Sequence, residues 1–251
     1  MAQLQEIVSF CDQRARTHEV VDFKEALNGL QFTNNGTVSK IGASVDSGLL
    51  PFQSAIEAGI EFLIVHHGMF WNGTCRIVGP EYEKYKSLIE GNLAVYASHL
   101  PLDAHLEIGN AAGLAHAIGA TQQGTFFPYQ GTDLGLVCDW SKDREALRNS
   151  LKRTFGDHIA SIEYGSANPD KICIVTGSGS SVVDQIKATG ADTLITGELK
   201  QHFFTIAQEA KLNLYVCGHY ATETFGVESL AKEAAAKFDL PYQFIKTNCP
   251  L

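Results

Sequence analysis

Glu61-Phe62-Leu63-Ile64-Val65-His66-His67-Gly68 is the stretch from which the rest of the chain is read. The apolar run from Phe62 to Val65 suits a strand buried on both faces of a parallel sheet. It delivers two adjacent imidazoles and a glycine at its carboxyl end, where open α/β sheets bind ligands. Neutral imidazole is the commonest protein ligand for transition metals, so His66 and His67 read first as metal donors. Successive strand side chains point to opposite faces. Two neighbouring histidines are therefore expected to hold different ions of a close pair rather than grip one.

On either side of this strand the pattern is β-turn-α-β. Lys40 to Val45 is strand-like, Asp46-Ser47-Gly48 turns, and Phe52 to Gly59 has helical character with a glycine stop. After the histidines come a Gly- and aromatic-rich loop, a helix over 82–90, and a strand over 93–98 that ends in His99-Leu100-Pro101-Leu102-Asp103. Residues 3–16 and 110–118 read as further helices. Such units require right-handed crossovers and a parallel sheet.

The last third repeats the first. Lys171 to Gly179 aligns with Lys40 to Gly48 at an offset of 131, and Val95 to Asp103 aligns with Tyr215 to Glu223 at an offset of 120. Both halves then carry His-x-x-x-carboxylate after a strand: His99 with Asp103, and His219 with Glu223. The expected architecture is two pseudo-symmetric α/β lobes, residues 1–120 and 169–251, joined by a bridging α+β segment over 121–168. The shared cleft between them is where the metal site is expected.

Two divalent cations held close together need terminal ligands and a bridge. A carboxylate has two oxygens and can bridge; an imidazole cannot in this role. Either Asp103 or Glu223 can serve, and Glu223 has the longer reach. His66, His67 and His219 would be terminal ligands. His219 and Glu223 share a face if that segment starts a helix, whereas Pro101 is expected to force a turn between His99 and Asp103. The donor set suits Zn, Fe, Mn, Ni or Co. His99 and His202, the latter in Gly197-Glu198-Leu199-Lys200-Gln201-His202, are further candidates for proton transfer. Gly177-Ser178-Gly179-Ser180-Ser181 is read as a tight turn, since it lacks a Walker lysine.

Composition narrows the function classes. The formal charge is −9, which argues against a broad nucleic-acid or anionic-membrane surface. A small anionic substrate drawn to a local metal charge stays compatible. Six cysteines without a C-x-x-C pair, and no basic start followed by an apolar stretch, read as a reduced, soluble, cytoplasmic protein.

At these residues the sequence resembles the Nif-three-like (NGG-interacting-factor-like) dinuclear metal proteins, whose members bear the label GTP cyclohydrolase type-two homologue. The likeness covers Asn28-Gly29-Leu30-Gln31, His66-His67-Gly68, His99 to His105, Thr196 to His202, and Gly218 to Glu223. It implies His66, His67, Asp103, His219 and Glu223 as metal ligands with Glu223 bridging, two pseudo-symmetric lobes, and a toroidal homo-hexamer. One departure is Gly131-Thr132-Asp133-Leu134-Gly135, which lacks an arginine expected there. The implied activity is metal-dependent hydrolysis of a small polar or nucleotide substrate. The alternative is a non-catalytic metal-handling or regulatory protein.

Overall fold

The computed structural model describes residues 1–71, 73 and 75–250. The chain folds as two α/β units: residues 1–108 with 226–248, and residues 109–225 with 249–251.

The first unit contains β1 (Ala2–Gln3), α1 (Leu4–Ala15), β2 (Gly29–Phe32), β3 (Thr37–Val38), β4 (Ile41–Asp46), α2 (Leu49–Glu57), β5 (Phe62–His67), α3 (Pro80–Glu90), β6 (Ala94–Ala97) and α4 (Leu100–Asp103). Its sheet runs β13-β4-β5-β6-β2, where β13 (Tyr242–Phe244) comes from the far end of the chain. The pairs β13·β4, β4·β5 and β5·β6 are parallel, and only β2 runs the other way. The β5 run is apolar throughout because both faces are covered. Phe62 and Ile64 pack in the cluster containing Ile7, Val8 and Leu230, while Leu63 and Val65 pack with Phe52, Leu88 and Leu93. Each such side chain contributes roughly 1.5–3 kcal/mol by leaving water, which holds the strand that carries the histidines in register.

The second unit contains α5 (Asn110–Ile118), β7 (Thr121–Tyr129), β8 (Thr132–Asp139), α6 (Arg144–Phe155), β9 (Ala160–Glu163), β10 (Lys171–Ser178), a 3-10 helix (Val183–Thr189), β11 (Thr193–Glu198), α7 (Phe203–Ala210), β12 (Asn213–Val216) and α8 (His219–Thr222). Its sheet runs β7-β8-β10-β11-β12-β9, with parallel pairing confined to β10·β11·β12. Helix α6 starts where Asp143 accepts the Ala146 N–H at 2.7 Å, an N-cap of the ordinary kind. The last long helix, α9 (Thr224–Phe238), leads the chain back to the first unit.

Three sequence expectations change here. Residues 121–168 supply β7, β8 and β9 to the second sheet, so the stretch read as a bridge is part of that unit. Its strands pair antiparallel, which the turn-rich composition does not reveal. Secondly, the repeat holds in register for the first two strands but slips in the third. Ile64 pairs Ala43 and Tyr96, while Ile195 pairs Ile174 and Tyr215. Tyr215 therefore corresponds to Tyr96, an offset of 119 where the sequence match used 120. Helices α4 and α8 begin at Leu100 and His219, on the same offset. His219 is thus the counterpart of Leu100, not of His99. Thirdly, Leu100 to Asp103 is a one-turn helix despite Pro101, because proline in the first turn has no intrahelical N–H bond to lose.

Candidate metal centre

His66 and His67 end β5 as the sequence suggests. His66 is buried and His67 half-buried, with ring centroids 4.9 Å apart. His99, the residue before α4, brings its ring to 4.9 Å from His66 and 5.8 Å from His67. The three histidines each offer a ligand atom within 4.8 Å of the others, which suits a shared metal ion. Asp103 joins from α4, its Oδ2 3.6 Å from His66 Nε2.

The protonation of these rings follows from what lies behind them. His66 Nδ1 faces the Ser98 carbonyl at 3.1 Å, and a carbonyl only accepts, so Nδ1 carries the proton. His67 Nδ1 donates to Asp46 Oδ1 at 2.8 Å, and His99 Nδ1 donates to Asp22 Oδ1 at 2.9 Å. In the neutral form of each ring, Nε2 is then the lone-pair nitrogen. Carboxylates or carbonyls behind ligating histidines fix the ring and raise its basicity. Burial pushes the Asp22 carboxyl up, but the His99 and Asn28 hydrogen bonds and the Leu100 N–H outweigh it, leaving its pKa lowered.

Asp22 and Asp46 are the functional residues the sequence reading missed. Asp46 was legible in principle, since it pairs with His67 across β4·β5, and a parallel neighbour's end is where a bracing carboxylate can stand. Asp22 lies in an irregular stretch with no periodic signal. The Asn28-Gly29-Leu30-Gln31 segment explains itself here. Asn28 Nδ2 donates to Asp22 at 2.7 Å while its Oδ1 accepts the His99 N–H at 2.8 Å. Gln31 Oε1 accepts the Met69 N–H at 2.6 Å, and its Nε2 donates to the Ala26 and Leu27 carbonyls. One segment thereby ties the His99 turn and the loop after His67 to β2.

In the second unit, His219 Nε2 stands 3.1 Å from Glu223 Oε1, and Nδ1 stands 3.4 Å from Glu198 Oε2. The hydrogen bond to Glu223 raises the His219 pKa to about 9; burial opposes this, and the charges of Glu223 and Glu198 add to it. Glu223 itself is buried. The close approach depends on glycines. A Cβ on Gly177 would lie 2.3 Å from Glu223 Oε1, and one on Gly197 would lie 2.7 Å from His219 Cα. Gly177, which lies at the end of β10 rather than opening a turn, thus makes room for the Glu223 and His219 side chains, and Gly197 makes room for α8. His202 is exposed just ahead of α7, against Phe203 with centroids 4.3 Å apart.

These features define an α/β protein whose strand ends and short helices present histidine and carboxylate groups able to ligate metal. The chain belongs to the Duf34/NIF3 (NGG1p interacting factor 3) family, whose model matches residues 2–250. Proteins called GTP cyclohydrolase 1 type 2 homolog from Deinococcus radiodurans and Halobacterium salinarum are each 36% identical, covering 88% and 90% of this chain and 84% and 90% of theirs. The crystal structure of TTHA1606 from Thermus thermophilus superposes with a TM-score of 0.86 at 33% identity, covering both chains fully. A structural-genomics protein, ybgI, of unknown function gives 0.90 at 30%, again over all of both chains. Among the described residues no helix is long and apolar enough to cross a membrane.

Proposed function

We propose that His66, His67 and Asp103, together with His219 and Glu223, hold two divalent metal ions, and that the protein is a metal-dependent hydrolase of a small polar or nucleotide substrate. The observation that carries this reading is the set of three histidines whose Nδ1 atoms are all committed to acceptors. That arrangement leaves Nε2 as the nitrogen for ligation in His66 and His67, as behind ligating histidines, and as the proton-holding nitrogen in His99. Nitrogen and carboxylate donors fit Zn, Fe, Mn, Ni or Co. Bound divalent ions would supply Lewis acidity and acidify water to near neutrality. Glu223 offers two oxygens for bridging. His99, braced by Asp22, presents Nε2 to hold a substrate proton, and exposed His202 ahead of α7 is the other candidate for proton transfer. The relatives' names support a nucleotide substrate, and a GTP-type reaction would open the imidazole ring with loss of formate.

Elemental analysis of purified protein tests the metal assignment: two equivalents per chain are expected, with loss in His66→Ala and Glu223→Gln. Formate release from GTP by loaded protein tests the activity. Metal uptake without turnover of GTP or a nucleotide panel would replace the hydrolase by a metal-handling protein, and no uptake would end both readings. Self-association into a toroidal hexamer is part of the same proposal. Light scattering giving a monomer mass would refute it.

A further inference from the structure

A cavity of 510 Å³ opens in the first unit, with one wall on the stretch that follows His67 in the chain. Leu27, Met69, Phe70 and Tyr85 form its apolar walls, and Lys24 and Glu25 supply its charges. The volume suits a drug-sized or nucleoside-sized ligand. The wall starts two residues after His67, so Met69 Cα lies within about 7 Å of His67 Cα by the length of the chain alone. Gln31 ties two of the walls together, because its side chain holds the Met69 N–H on one side and the Leu27 carbonyl on the other.

Leu27 is the telling residue. Its φ is +45°, a left-handed backbone that ordinary side chains avoid at a cost of about 1–2 kcal/mol. It is nonetheless a leucine, and 54% exposed. Backbone strain and an exposed apolar side chain are both unfavourable in isolation, and together they mark a position held for contact. The side of the cluster next to this loop is also aromatic. Trp71 meets His99 edge-on at 4.7 Å, and Phe23 stands 6.0 Å from His99 and 6.2 Å from Trp71.

We infer that this cavity is the substrate's seat and that it takes a planar nitrogen heterocycle, the base of a nucleoside or a ring of that kind. Flat faces of Phe70 and Tyr85 with the pliable Met69 give the stacking and dispersion such a ring gains. Glu25 accepts from ring N–H groups, and Lys24 donates to a ring carbonyl or an attached anion. The inference rests on the proposed hydrolase for the link to reaction, but ring binding itself needs no metal.

The test uses metal-stripped full-length protein and guanosine as the probe. Cys75 is exposed and lines the cavity, so its alkylation by iodoacetamide reports occupancy, while the half-buried Cys249 serves as internal reference. With guanosine at ten times its dissociation constant, Cys75 alkylation slows roughly tenfold and Cys249 is unchanged. Leu27→Gly, which relieves the backbone and removes the wall, and Phe70→Ala abolish the protection, and Glu25→Gln weakens it. Unchanged Cys75 reactivity at saturating guanosine overturns the inference, as does protection that survives both Leu27→Gly and Phe70→Ala. Protection in a protein that fails to take up metal would leave the seat standing and remove only the hydrolase.

Discussion

Replacing Gly177 by alanine probes the second half of the candidate site most directly. The residue has φ +61°, and its added Cβ would sit 2.3 Å from Glu223 Oε1 and 3.2 Å from His219 Nε2. Glu223 is buried, so its carboxylate has little room to retreat without leaving His219. The left-handed backbone accounts for about 1–2 kcal/mol, and a broken hydrogen bond between charged groups for about 1.5–3 kcal/mol. Gly190→Ala separates the two contributions. Its φ is +83° and its Cβ would meet only Lys171 Nζ, at 3.9 Å, so it bears the backbone part alone. Thermal unfolding of metal-free protein should show Gly177→Ala about 3 kcal/mol less stable than wild type, a drop near 10 °C for a chain this long. Gly190→Ala should fall by about a third of that. A second readout is ring titration of His219 by NMR. Its pKa is raised to about 9 from a usual 6.5, chiefly by the Glu223 hydrogen bond. A raised pKa stabilises the folded state fully below pH 6.5 and loses that contribution as pH climbs to about 9. In Gly177→Ala the titration should move back towards the usual value and the decline in stability over that window should flatten. If Gly177→Ala unfolds like Gly190→Ala and His219 titrates as in wild type, the account of the Gly177 contact is wrong.

Further outcomes follow from the same geometry. Asn28→Ala strips one hydrogen bond from Asp22 and leaves the His99 N–H without its acceptor; a loss of about 1–3 kcal/mol is expected by denaturant unfolding, and an unchanged midpoint would contradict the role given to Asn28. Asp46→Asn keeps the shape behind His67 but weakens the ring's basicity, so calorimetric metal affinity should fall about 10–100-fold; equal affinity would show that Asp46 does not brace a ligand. Cys11, Cys138, Cys173 and Cys217 are buried, and burial raises each thiol's pKa. Native protein at pH 8 should therefore yield only Cys75 and Cys249 to a disulfide reagent, with the other four appearing on unfolding; rapid labelling of any of the four would refute the packing around it.

Much of this protein is determined by local pattern. The buried β5 run, the helices over 4–15, 110–118 and 144–155, and the arrival of His66 and His67 at a strand's carboxyl end follow from apolar periodicity and chain punctuation, which act over a few residues. Identity matching also pairs the two β-α-β stretches, because buried strands of parallel sheets draw on the same apolar residues. Only the tertiary structure decides the rest. It sets the third strand's register at 119, since the parallel pairing that places Tyr215 opposite Ile195 outranks a coincidence of two histidines. It places 121–168 in a sheet, because antiparallel edge strands answer to their neighbours more than to their own composition. And it brings Asp22 and Asp46 behind His99 and His67: a bracing carboxylate is defined by a distance of under 3 Å, which residues 77 and 21 positions apart in the chain acquire only by folding.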